Sequence, residues 1–441
     1  VSMEAAVRKW AAYPGFWPMI NTSDDYYRWT GLDYHPSNVA AFQARYGIDP
    51  PRPPEALAAD YPMRVDRETG VIPDSDPWLL WQRFNSREVL GRYNGRLAEA
   101  VRRATDGQGR IGPVCGGGPW TLGTIPLVDL PSGQWPPHNF GPDHFSLISY
   151  YNYNCYWYPA IAQVWWAELA RMGNRRAPVW VMPDTMDLRR TYHLQNLWMF
   201  LAGGVDGVVY FIYEWMSPGS RDALSRMGPQ IEAAQAVLGA LEPAPRSIGL
   251  LAPFETAAYR ASHPADLAYA FAQVAMAQGE VEPVWPEELP ERGSAYRLIL
   301  LHDVDWLTES NRRRLSAFQA RGGRVVADAA TAVDQPGWER LDFALAEPVR
   351  ETGYGDTQRI ARIRAELKRW SIASWAQTDD PHLLLRHAQL DGVDYLWVIS
   401  LMTHEEDAAH LPPQPGRDFK VPPAPGFEDH DRRGHTAVLT V

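Results

Sequence analysis

Three short segments of the sequence set carboxylates directly behind apolar runs. Asn21-Thr22-Ser23-Asp24-Asp25-Tyr26-Tyr27 follows residues 16–20, Pro183-Asp184 follows residues 178–182, and Tyr213-Glu214-Trp215 follows residues 207–212. If the runs are strands of one parallel sheet, the residues behind them gather at one edge, where carboxylates act as general acids and bases. Glu214, between two aromatic residues, has an apolar neighbourhood of the kind that raises a carboxyl pKa towards an acid role. Each segment also has a structural reading. Ser23 or Asp24 caps a helix while Asp25 faces water, Asp184 caps the helix that follows it, and Glu214 pairs with an arginine.

A second constellation is aromatic. Residues 149–158 read Ser-Tyr-Tyr-Asn-Tyr-Asn-Cys-Tyr-Trp-Tyr, and Trp120, Trp135, His138 and Asn139 lie on the loop before them. Such a run cannot all be core, because the polar tips of Tyr and Trp need partners. Tyr151, Tyr153 and Trp157 mixed with asparagine make a surface suited to stacking sugar rings and bonding hydroxyls. A subunit interface, also rich in Tyr and Trp, is the structural alternative. The whole chain is aromatic, with 19 Trp, 20 Tyr and 13 Phe, 12% of 441 residues. Many of these fall on loops that follow strands, which predicts one aromatic-lined cleft.

Other chemistries are not supported. The histidines form no H-x-x-x-H or H-E-x-x-H arrangement, and Cys115 and Cys155 form no C-x-x-C, so no metal or other cofactor is expected. Gly116-Gly117-Gly118 lacks the Lys-Ser/Thr of a phosphate loop, and no G-x-S-x-G elbow is present. The net charge of −11 argues against a nucleic-acid partner. No apolar run approaches the about 18–20 residues of a membrane span. Residues 1–10 read as a polar helix rather than a signal peptide, which leaves the compartment open with the cytoplasm as the default.

The elements that must position these residues alternate. Strands are predicted at 16–21, 110–114, 145–150, 178–182 and 207–212. Helices are predicted at 37–46, capped by Ser37 and stopped by Gly47, and at 78–104, 159–172, 192–202 and 222–241. Parallel strands with helical crossovers are the economical solution, and these units read as about the last five of an eight-fold (β/α) TIM barrel over residues 1–242, lacking its first β-α units. After a Pro243-Ala244-Pro245 linker, strands at 247–251, 281–284, 296–301 and 324–327 alternate with helices at 264–278 and 308–321. This is a small flavodoxin-like α/β domain over 246–335, without a G-x-G-x-x-G turn for a nucleotide. Residues 336–441 read as a linker and a partial β-sandwich, opened by a hairpin around Asp391-Gly392.

This order of parts resembles the family-42 glycoside hydrolases, the β-galactosidases whose second domain mediates trimerisation. Tyr296-Arg297-Leu298-Ile299-Leu300-Leu301, Leu307-Thr308, Leu315-Ser316-Ala317-Phe318 and Gly322-Gly323-Arg324-Val325-Val326 are similar to that family's second domain. Gly207-Val208-Val209-Tyr210-Phe211 is similar to its last barrel strand, and Trp17-Pro18-Met19-Ile20-Asn21 to the strand that presents its acid/base. The resemblance implies a carbohydrate substrate, hydrolysis of glycosidic bonds and a homo-oligomer, a trimer. It implies Asp24 or Asp25 as acid/base, Asp184 as nucleophile or base and Glu214 in reserve. Asn21, Tyr26, Trp120, Trp135, His138, Tyr151, Tyr153, Trp157, Tyr213 and Trp215 would then contact the sugar. The family has Asn-Glu where this chain has Asn21-Thr22, and a Glu nucleophile where it has Pro183-Asp184. A catalytically decayed carbohydrate-binding or scaffold protein is the alternative.

Overall fold

The computed structural model describes residues 3–11, 19–21, 33–51, 67–107, 109–112, 114–115, 135, 138, 148–151, 160–173, 178–182, 190–208, 218–260, 263–347, 357–372, 374–380, 383–400 and 439–440. In the first half, Met19–Asn21 runs parallel to Arg110–Gly112. Val114–Cys115, Ile148–Tyr151, Val179–Met182 and Gly207–Val208 follow side by side, every pair parallel. Helices Ala160–Gly173 and Arg190–Ala202 are the crossovers between successive strands, as the alternation of patterns requires. The predicted strand at 110–114 divides into two pieces that belong to different sheets. Residue 113, between them in the sequence, lies outside the described residues. Of the predicted strand at 207–212, residues 209–212 lie outside the described residues.

The long helix before the 110–112 strand shows how sequence and packing combine. Pro77 occupies its first turn, and the Asp76 carboxylate caps it by accepting from Leu79 N at 3.1 Å. Its inward residues Trp78, Leu79, Trp81 and Phe84 are buried. Trp81 stacks on Phe84 at 5.7 Å, and the Phe42 ring stands edge-on to both. The helix continues through a π-helical stretch, Asn85–Gly91, into Arg92–Ala104, so the predicted single helix acquires a wider turn in its middle. Phe42 comes from the Pro36–Tyr46 helix, which Gly47 stops in the left-handed conformation (φ 70°). Its cap is His35 rather than Ser37: the His35 ring accepts from Ser37 N at 3.3 Å, because Pro36 already fills the first helical position.

The second half is built on five parallel strands in the spatial order Val281–Val284, Ile248–Leu251, Leu298–Leu301, Arg324–Ala327 and Glu339–Arg340. Numbered along the chain this is 2-1-3-4-5, the flavodoxin-like order. The three inner strands are buried on both faces or nearly so, as their unbroken apolar runs demand. The edge strand lies beyond the expected limit at residue 335. The switch point between the first and third strands, where such sheets hold ligands, is filled by Phe254, Glu255 and Thr256, none of them accessible.

At the C-terminal side, Leu383–Leu390 and Val393–Ser400 pair antiparallel. Asp391 (φ 51°) and Gly392 (φ 76°) make the tight turn their types predict. Each strand is eight residues long. The first residue of the expected linker, Pro243, belongs to a strand: Glu242–Pro243 pairs with Ala388–Gln389 as the third member of this sheet. Leu439–Thr440 pairs with Gln377–Thr378. One continuous core joins these parts, with Trp165 of the first half against Phe271 of the second at 5.5 Å.

Candidate active site

Within each of the two first-half sheets the parallel register sets the C-terminal ends of the strands side by side. Asn21 lies opposite Gly112, Cys115 opposite Tyr150, Tyr151 opposite Met182 and Val181 opposite Val208. This is the edge on which a (β/α) barrel carries its chemistry. Of the residues expected to act, Asn21 and Tyr151 are the last residues of their strands, which belong to the two different sheets. Asp24, Asp25, Tyr26, Trp120, Tyr153, Trp157, Asp184, Tyr213, Glu214 and Trp215 lie outside the described residues. In the chain each follows one of these ends: Asp24 follows Asn21, Trp120 follows Cys115, Tyr153 follows Tyr151, Asp184 follows Met182 and Glu214 follows Val208.

Trp135 and His138 are brought together, in a buried seam. His138 N donates to Trp135 O at 2.8 Å. Trp135 is 1% exposed and meets the Phe254 ring edge-on at 5.5 Å. The His138 ring lies 4.6 Å from Phe254 and 5.5 Å from Trp285, with Nδ1 3.1 Å from Ser86 Oγ. Burial, reinforced by the Arg87 and Arg83 charges, holds the imidazole well below its usual pKa, so it is neutral at pH 7. Gly91 of the π-helical stretch lets the His138 carbonyl approach, since a Cβ there would stand 2.9 Å from that oxygen. In this position the two rings fill space between the halves of the molecule.

Beside this seam lies a polar network that sequence reading passed over. Glu255, fully buried, accepts from Thr308 N at 2.8 Å and from Asn311 Nδ2 at 2.7 Å. Glu287 accepts from Arg83 Nη2 at 3.3 Å and from the same Asn311 amide at 3.4 Å. Burial and the neighbouring Glu255 push the Glu287 carboxyl up to about 6. Asp76, besides capping its helix, binds the Tyr259 hydroxyl and, at 2.5 Å, Arg67. Glu255 shares the signal of the other candidates, a carboxylate just behind an apolar strand. No group of His, Cys, Asp and Glu suited to a metal ion occurs among the described residues.

No protein-family model and no curated protein sequence matches the chain. Solved structures do. A β-galactosidase from Bacillus circulans sp. alkalophilus superposes over 90% of this chain and 75% of its own, with a TM-score of 0.62 and 11% identity. The fold is GH42-like. A GH42 β-galactosidase of G. stearothermophilus matches over 82% of this chain and 68% of its own, with a TM-score of 0.55 at 12% identity. The apo GH42 exo-carrageenase of Bacteroides ovatus matches over 71% of this chain, with a TM-score of 0.53 at 11% identity. The chain spans about half the length of that enzyme, 48%. The GH42-like fold accounts for the parallel first half and the flavodoxin-like second half together.

Proposed function

We propose that this protein acts on carbohydrate as a β-galactosidase-like glycoside hydrolase, with its reacting groups on the edge formed by Asn21, Cys115, Tyr151, Met182 and Val208. The observation behind this reading is the GH42-like fold, whose hydrolase neighbours cover up to 90% of the chain. Asp24 or Asp25 protonates the leaving oxygen, and Asp184 attacks the anomeric carbon or activates water on the opposite face. The transition state is oxocarbenium-like, and Glu214 is the reserve carboxylate. Tyr151, Tyr153, Trp157 and Trp120 stack against the sugar rings. Connectivity favours the assignment: at no more than about 3.6 Å per residue, Asp184 stays within about 7 Å of the Met182 Cα.

A carboxyl separation of about 5–5.5 Å goes with retention and about 6.5–9.5 Å with inversion. The Asp24→Asn, Asp25→Asn double variant should lose hydrolysis of a chromogenic β-galactoside. Full activity in that variant would remove the assignment. The Asn21-Thr22 and Pro183-Asp184 pairs, where the resembled family has glutamates, favour a second reading, glycan binding without turnover. Calorimetric binding of a galactoside that is never hydrolysed would select it. The flavodoxin-like half is proposed to drive assembly into a trimer, and light scattering giving a monomer would remove that part.

A further inference from the structure

On the opposite edge of the second sheet, where strands Leu298–Leu301 and Arg324–Ala327 begin, lies a cavity of about 700 Å³. That volume is in the range of small-molecule sites. Tyr296, Phe318, Trp370 and Ile372 supply its buried wall, and Arg297, Arg321 and Arg324 line it together with a single carboxylate, Glu339. Glu339 is already engaged: it takes Arg324 as an ion pair, accepts from Trp370 Nε1 at 2.9 Å and faces Arg369 at 3.5 Å. Arg297 is exposed and makes no side-chain hydrogen bond or ion pair among the described residues. Arg321 makes one long bond, from Nη2 to Leu289 O at 3.3 Å.

Two helices end at this cavity, and their carbonyls could in principle claim the guanidinium groups. Both ends are instead closed by their own turns. Phe318 O accepts from the N–H groups of Arg321 and Gly323, and Gln319 O from Gly322. Leu367 O accepts from Ile372 N, and Lys368 O from Ser371 N. Gly322 (φ 90°) and Gly337 (φ 91°) line the same cavity, and a Cβ at Gly322 would meet nothing within 4 Å. Arg297 and Arg321 therefore line an open, ligand-sized space whose one lining carboxylate among the described residues, Glu339, is already paired, in a chain whose net charge is −11. The planar guanidinium fork binds two oxygens of a phosphate-type oxyanion through paired N–H donors, and two forks match a double negative charge.

We propose that this cavity binds a doubly charged tetrahedral oxyanion, the phosphoryl group of a small ligand or a free phosphate or sulfate ion, held by Arg297 and Arg321 with Arg324 beside them. The site is separate from the strand edge assigned to hydrolysis and stands whether or not that assignment does. The test is isothermal titration calorimetry of the full chain at pH 8 in a chloride background, with inorganic phosphate, inorganic sulfate, glucose 6-phosphate and glucose as probes. Saturable binding of at least one of the three anions is expected, with none of glucose. Arg297→Ala combined with Arg321→Ala should weaken it tenfold or more and leave the thermal midpoint of the unliganded protein unchanged. Tighter binding of glucose 6-phosphate than of phosphate would assign an ester, and equal binding the free anion. Absence of saturable binding by all three anions, equal affinity in the double variant, or equally tight binding of glucose would overturn the proposal.

Discussion

Glu287 is a carboxyl whose environment works against its charge. Burial and Glu255 raise its pKa to about 6, above the ordinary value of 4.5 that it regains on unfolding. Between those values the folded protein holds a proton that the unfolded chain has released, so stability falls as pH rises through the window. Urea midpoints measured from pH 4 to 7 should therefore decline across it, and Glu287→Gln should flatten the decline. An identical profile in the variant would refute this assignment. Trp135 offers a different residue-scale test. At 1% exposure against Phe254, Trp135→Ala should cost about 3–5 kcal/mol, read as a lowered urea midpoint. At this scale the sequence speaks unevenly. It marks Trp135 and His138 as members of an aromatic group, but a Trp that stacks on a ligand and a Trp that stacks on Phe254 are the same letter. What separates them is the partner, and that partner lies more than a hundred positions along the chain.

Elements were more legible than their edges. The Asp391-Gly392 pair predicts a two-residue turn, and the structure forms it with both residues at positive φ. Gly392→Ala should cost on the order of 1 kcal/mol, because only glycine takes φ 76° freely, and no new contact offsets the cost since a Cβ there meets nothing within 4 Å. An unchanged thermal midpoint would count against that account. The inner strands of the second sheet, as unbroken apolar runs, and the helix stop at Gly47 were equally readable. Three features were not. The π-helical turn at Asn85–Gly91, whose Gly91 lies against the His138 carbonyl, is encoded by no local propensity. The cap at His35 replaces a better capping residue because Pro36 fixes where the helix starts. Glu242–Pro243 pairs as a strand because its partner, Ala388–Gln389, lies about 145 residues away.

Across the whole molecule the two halves share one core. Trp78 Nε1 donates to Ala258 O at 2.9 Å, Trp165 Nε1 to Pro264 O at 3.2 Å, and the buried cluster runs without a break from Phe42 to Ile399. Calorimetry should therefore record one unfolding transition, and two resolved transitions would contradict the shared core. Arg386 reaches from the C-terminal hairpin to Glu168 at 2.6 Å, both side chains 3% exposed, while Arg171 lies 3.2 Å from the same carboxylate. Arg386→Met should cost about 3 kcal/mol by leaving Glu168 with less compensation for its buried charge. The order of parts was legible at this scale from alternating patterns, whereas the seam was not, since it joins residues with no shared period. The strand at Glu242–Pro243 has a mechanical consequence. The only covalent passage between the halves is clamped, with Ala244 N bonded to His387 O at 3.1 Å and Arg246 paired with Glu280. A clamped passage acts as a weld and not a hinge, so the two halves should move as one body.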